Sequence, residues 1–411
     1  MNKRKSKKAG KAIDAGGFGC VFRPQIRCKQ SKKRKRSKVD GISKLMSKDE
    51  SANEWRELKN IKKIVTKIPN YKNYFLLNNI EICTPDILDK EDLVNIEKCR
   101  SGFQNMNINI DEINKNLDKF KIINMPYGGE NLVNVISSGD IDFNILNILL
   151  IELLSNAIVP MNKLAFYHCD IKGQNILYKD NNLRLIDWGI STYLNSLPIN
   201  NIPESLSNYT IQFNAPFSRI IFNRYFDEFV FEYLSAHPEI NLNSNKLNLE
   251  LELMMLSFYN EYVRLRNARG HEEFINKYLI PDLFKLNNIE APKDLNYTAI
   301  LFSQYLINIL KKYTDFKSKK VDKLGYLNDI YLKNLDIWGF IFVYLEFILN
   351  SQVKKEIKIK IANLIIKYCY SIDYSDKPIP IDDLSSDLKN LNKIRGNNTN
   401  VVNLKKMFSL D

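Results

Sequence analysis

From Ala12 to Leu45 apolar and polar residues alternate in short runs, the pattern of half-buried strands. The turn Ala15-Gly16-Gly17-Phe18-Gly19 breaks the first run, and Val21 and Phe22 resume it among polar neighbours. Residues 27–38 are dominated by Lys and Arg and cannot bury, so they predict an exposed loop before Ile42-Ser43-Lys44-Leu45 returns to strand. Asp49-Glu50-Ser51 then opens a helix. Its apolar positions Trp55, Leu58, Ile61, Ile64 and Val65 recur at spacings of three and four, acids occupy its first turn, and it ends before Pro69. Residues 88–117 are polar and irregular and read as an insertion. Phe120 to Met125 forms the next strand, and Pro126-Tyr127-Gly128-Gly129 a turn or hinge.

Downstream the period changes to that of helices. One is expected from about Phe143 to Leu164, amphipathic helices fill most of residues 217–335, and residues 336–370 predict two packed helices before a polar tail. The most apolar runs, Ile145 to Val159 and Ile337 to Leu349, are interrupted by Glu152 and Glu346. Both fall short of the ~20 residues that span a bilayer, so they predict buried helices and no transmembrane segment. A β-rich part followed by a helical part is an α+β chain.

At 411 residues the chain is long enough for two or three domains of roughly 150 residues. The net charge of +13 favours polyanionic partners: nucleotides, acidic proteins, nucleic acid or anionic membrane. The run Lys32-Lys33-Arg34-Lys35-Arg36 is the place for a nuclear signal or for nucleic-acid or membrane contact, although no aromatic residue interleaves it and a solvated loop is the plainer reading. The six cysteines include no Cys-x-x-Cys pair, and only three histidines accompany them. That usage argues against a zinc site or a disulfide framework and fits a reducing intracellular compartment. The basic stretch at residues 2–11 leads into a glycine-rich turn and not an apolar signal core, so secretion is not expected.

The chemistry concentrates in one segment. Residues 168–175 read His-Cys-Asp-Ile-Lys-Gly-Gln-Asn, and Asp187-Trp188-Gly189 follows after an apolar, strand-like stretch. A His-x-Asp tripeptide alone reads equally as a polar turn. Here Asn175 lies five residues beyond Asp170 and Asp187 twelve beyond Asn175, a spacing that lets a hairpin bring two oxygen ligands together. With the glycine turn and Lys44 upstream, that order resembles the eukaryotic-type serine/threonine protein kinase superfamily in a divergent form, and its wording is similar to the serine/threonine kinases of large DNA viruses.

The resemblance covers residues 12 to about 215 and implies a bilobal fold: a small β-rich lobe over 12–126, carrying the basic loop 27–38 and the insertion 88–117, and a larger helical lobe over 127–370 with a helical insertion at about 218–335. A basic tail (1–11) and a polar tail (371–411) flank them. It implies ATP with Mg²⁺ or Mn²⁺ in the cleft, γ-phosphoryl transfer to serine or threonine hydroxyls of protein substrates, and a cytoplasmic protein, in the host cytoplasm or the virion if viral, with a nuclear location open through the basic run.

Residue by residue, Asp170 matches the catalytic carboxylate and Lys172 the cation beside the moving phosphoryl, the latter a mark of serine/threonine and not tyrosine kinases. Asn175 and Asp187 match the metal ligands. Ala15, Gly16, Gly17, Phe18 and Gly19 form the phosphate-covering loop, with Val21 beyond it. Lys44 matches the phosphate-holding lysine, with Glu54 as first and Glu57 as second candidate for its partner. At the hinge, Met125, the Pro126 carbonyl and the Gly128 N–H are the adenine-side candidates. Asp336, opening Asp336-Ile337-Trp338-Gly339, matches the brace of the catalytic loop. Four positions depart from the pattern: Asp14 for the first glycine, Cys169 for arginine, Trp188 for phenylalanine, and Phe217 for the glutamate after Ala215-Pro216. Asp14 and Phe217 keep a pseudokinase scaffold in play. A small-molecule or lipid kinase is disfavoured by Lys172.

Overall fold

The computed structural model describes residues 11–16, 19–29, 40–103, 108–195, 197–207, 212–243, 245–263, 269–286, 288–350 and 352–393. The chain is mixed α+β, 57% helix and 13% strand, and it divides into two compact units. One comprises residues 1–130 with 177–189, the other 131–176 with 190–411.

The first unit is built on a five-stranded antiparallel sheet of β1 (Lys11–Gly16), β2 (Gly19–Arg23), β3 (Gly41–Ser47), β4 (Glu81–Cys83) and β5 (Phe120–Pro126), in the order β1-β2-β3-β5-β4. Its register sorts side chains between two faces, because successive residues of a strand point to opposite sides. Cys20 pairs with Leu45 and Leu45 with Ile122, and all three are fully buried on one face. Lys44, between Val21 and Ile123, points to the other, toward helix α1 (Lys48–Val65). Ser47 caps α1 by accepting from Glu50 N at 3.1 Å, with Asp49 and Glu50 in the first turn and Lys62 and Lys63 in the last, each sign placed to favour the helix dipole.

The stretch 88–117, expected as a polar and irregular insertion, carries buried apolar residues among its described positions. Its apolar residues Leu88, Phe103, Ile110, Ile113 and Leu117 form one buried cluster with Cys20, Phe22, Leu45 and Ile122, so it covers the sheet face opposite Lys44. Its short helical turns hold these residues at irregular spacings, which is why no single period announces them.

Two disulfides, Cys20–Cys99 and Cys28–Cys83, fasten the same region, with Cα–Cα distances of 5.2 and 5.7 Å. The expectation of no disulfide framework is therefore corrected. The partners are 79 and 55 residues apart in sequence, and only the folded sheet brings them together. Cys169 and Cys369 are free and buried.

In the second unit, helix Leu332–Val343 is buried at every position except Lys333, as a helix apolar on all sides must be. The helical run Phe143–Lys163 is long and apolar enough to cross a membrane by length and composition; half of its most apolar window is buried, while Ile145 and Ile148 are exposed. Helices Arg224–Ala236, Leu247–Phe258 and Tyr297–Tyr313 occupy the tract that the sequence marks as amphipathic. The expected polar tail contains helix Ile381–Leu391, which buries Leu384, Leu388 and Leu391. Asn147, itself fully buried, donates to Leu388 O at 2.9 Å and accepts from Tyr344 Oη at 2.6 Å, tying that helix to the core.

Candidate active site

In the first unit, Lys44 Nζ lies 2.5 Å from Glu54 Oε2, both side chains partly buried. The pairing follows from position: Lys44 projects from β3 toward α1, and Glu54 sits in the second turn of that helix. Glu57, one turn further on, has its pKa raised by desolvation and then by the Glu54 charge. The first unit also carries Asp187, whose φ of +65° is left-handed, a region that Asp enters more readily than most residues. Beside it Trp188 is buried against Phe75 with ring centroids 5.8 Å apart.

The glycine turn connects β1 to β2. Ala15 pairs with Cys20 and Gly16 with Gly19, while Gly17 and Phe18 lie outside the described residues. A Cβ on Gly19 would stand 2.5 Å from the Leu45 carbonyl, so strand packing alone demands glycine there. Val21 is the strand partner of Lys44. At the end of β5 the Met125 carbonyl accepts from Gln25 Nε2 at 3.1 Å, and Gly128 is closed in by Leu76 and Leu177. The basic run 32–36 also lies outside the described residues.

The second unit assembles the rest around one carboxylate. Asp170 Oδ2 accepts from Lys172 Nζ at 2.7 Å and from Asn175 Nδ2 at 3.0 Å, and Asp170 Oδ1 accepts from Asn214 Nδ2 at 2.8 Å. Asn175 Nδ2 also donates to the Asp170 carbonyl at 2.9 Å. Its nitrogen is thus committed, and its oxygen is the atom with which this buried amide would meet a cation. Three donors on two oxygens fix the plane of the Asp170 carboxylate while leaving lone pairs to accept further.

The loop bearing Asp170 is held from beneath. Asp336, fully buried, accepts from His168 N at 2.8 Å and Cys169 N at 2.9 Å. With its nitrogen turned toward them, the Asn162 amide donates to Asp336 Oδ2 at 2.8 Å and to Phe166 O at 3.1 Å. Burial raises the Asp336 pKa to about 6, against the pull of the two backbone N–H groups. His168 is fully buried, and its Nδ1 accepts from Asp170 N at 3.3 Å, a structural contact. The Cys169 thiol is pushed up to about 12, first by burial and then by the Asp336 charge, so it is not an activated nucleophile.

Asn214 is the residue that sequence reasoning passed over. It immediately precedes Ala215-Pro216, but the contact with Asp170 spans 44 residues and no local spacing encodes it. Phe217, in place of a glutamate, occupies an aromatic box: it stacks on Tyr370 at 5.8 Å and meets Trp338 and Tyr305 edge-on at 5.7 and 6.1 Å. Aromatic packing stands at the position where the kinase pattern has a glutamate. Trp338 also donates from Nε1 to Phe213 O at 2.9 Å, anchoring the residue before Asn214.

Among the described residues no group of three or more His, Cys, Asp or Glu side chains is arranged to hold a metal ion. Compared with known proteins, the chain matches no family model and no curated protein.

Proposed function

We propose that this chain is a protein kinase of bilobal fold that transfers the γ-phosphoryl group of ATP to serine or threonine hydroxyls. The observation that carries the reading is the grip on Asp170. A carboxylate held by Lys172, Asn175 and Asn214 is oriented for a substrate hydroxyl and has a cation beside it.

In this reading Lys44, kept extended by Glu54, holds the α- and β-phosphates, and the backbone of the Ala15–Gly19 turn covers them. Asn175 and Asp187 offer hard oxygen donors that fit Mg²⁺ or Mn²⁺, the nucleotide phosphates supplying further oxygens. The metal would neutralise phosphate charge. Asp170 orients the attacking hydroxyl and takes its proton as the new O–P bond forms and ADP leaves. Lys172 balances charge on the moving group.

A nucleotide-binding scaffold without transfer is the second reading, favoured by Asp14 and Phe217 at positions where the kinase pattern has other residues. Purified protein with labelled ATP and Mg²⁺, run beside Asp170→Asn and Asp187→Ala, separates the two. Label in protein hydroxyls from the unaltered chain alone supports transfer. Equal label in all three means a contaminant, and nucleotide binding without label supports the scaffold.

A further inference from the structure

The two disulfides of the first unit differ in surroundings. Cys20 and Cys99 are both 0% exposed and belong to the apolar cluster on the covered face of the sheet. Cys28 and Cys83 are only partly buried. Thiol–disulfide exchange requires a thiolate to reach a sulfur directly, and exposed disulfides are also the more readily reduced at equilibrium, so exposure discriminates between the two bonds.

Cys28–Cys83 also sits at the end of a polar ladder. Ser43 and Asn124 are register partners on β3 and β5, both buried and hydrogen-bonded to each other. Ser43 Oγ accepts from Ile26 N at 2.9 Å, and Asn124 Nδ2 donates to Glu81 Oε1 at 3.1 Å and to Cys28 Sγ at 3.5 Å. Cys28 Sγ lies 3.9 Å from Glu81 Oε1. A disulfide sulfur carries no proton and can only accept here, whereas a thiol would donate to Glu81. The bond's redox state therefore changes the hydrogen bonding of the ladder.

The same bond closes a short two-stranded junction. Lys29 N donates to Thr84 O at 2.9 Å and Asp86 N to Arg27 O at 2.8 Å, on either side of the Cys28–Pro85 bridge. Lys29, exposed and adjoining Cys28, places a positive charge that attracts an anionic thiol.

We propose that Cys28–Cys83 is a thiol-exchange site, opened by low-molecular-weight anionic thiols of the glutathione class while Cys20–Cys99 stays closed, and that opening it releases the 27–29 and 84–86 junction. In the step, a thiolate attacks one sulfur to give a mixed disulfide and expels the other cysteine as a thiolate, which takes a proton. A second thiolate then attacks the outer sulfur of the mixed disulfide, forming the oxidised thiol pair and expelling the remaining cysteine as a thiolate, which takes a proton. The products are two cysteine thiols and one oxidised thiol pair, so two electrons move and the atoms balance. The exchange is independent of phosphoryl transfer.

The test uses the full chain equilibrated across ratios of reduced to oxidised glutathione, quenched in acid, alkylated and mapped by peptide mass spectrometry, with amide hydrogen exchange at each ratio. Cys28 and Cys83 should become alkylated together at a reducing ratio at least about tenfold lower than Cys20 and Cys99. The Lys29 and Asp86 amides should lose protection over the same range. Alkylation of all four cysteines at one ratio overturns the proposal. So does opening of Cys28–Cys83 with both amides still protected, or a Cys28 that stays alkylatable under oxidised glutathione. The variant Cys28→Ser with Cys83→Ser should exchange the two amides rapidly without reductant; should it fail to fold, the titration of the unaltered chain decides alone.

Discussion

Replacing Asp336 with Asn isolates one buried carboxyl and yields a signed, pH-dependent prediction. Burial lifts its pKa from 3.8 to about 6, because desolvation penalises the charged form more than the N–H groups of His168 and Cys169 favour it. The folded protein therefore holds this proton more tightly than the unfolded chain does. Its stabilising contribution is complete below the unfolded pKa and is lost as pH rises through about 6. A gap of about 2 units at 1.36 kcal/mol each amounts to about 3 kcal/mol. Asn does not titrate, so subtracting the variant's stability from that of the unaltered chain cancels the other carboxylates. Urea unfolding of both proteins at pH 4, 5, 6 and 7 and fixed ionic strength should show that difference falling by about 2 kcal/mol from pH 4 to pH 7, the remainder lying below pH 4. A difference that stays flat would refute the reasoning. One that rises with pH would mean that the two backbone N–H groups, and not burial, control the carboxyl.

Two other substitutions test neighbouring claims. Phe217→Ala should cost about 3–5 kcal/mol in the same unfolding assay, because the ring is 1% exposed and boxed by Tyr370, Trp338 and Tyr305; a loss below about 1 kcal/mol would contradict the aromatic packing at this position. Asn214→Ala removes a hydrogen bond to a carboxylate worth about 1.5–3 kcal/mol, so under the kinase reading kcat should fall roughly 10- to 100-fold with nucleotide affinity unchanged. A loss of nucleotide affinity at constant kcat would remove Asn214 from the positioning of Asp170.

Helix α1 was legible because first-turn acids and apolar spacing are local: Asp49, Glu50, Ile61 and Val65 state its start, polarity and buried face, while the cap at Ser47 emerged only with the structure. The strand bearing Lys44 and the cluster from Asp170 to Asn175 were legible for the same reason, since their contacts lie within a few residues or on the next element. The segment 88–117 was not, because its apolar residues serve a sheet face and follow no helix or strand period. Helix Ile381–Leu391 was passed over although Leu384, Leu388 and Leu391 carry the helical spacing, since only three apolar positions mark it among polar neighbours.

The linear chain determined the elements and the residue types able to do chemistry, because hydrogen bonding within a turn or strand and the periodicity of burial depend on near neighbours. The tertiary structure alone decided that Glu54 meets Lys44, that Asn214 and Asp336 hold the loop of Asp170 from 44 and 166 residues away, and that four scattered cysteines form two bonds. Such contacts arise from strand register and helix packing, whose energies come from buried surface shared by distant segments, and no local pattern encodes which distant partner will share it.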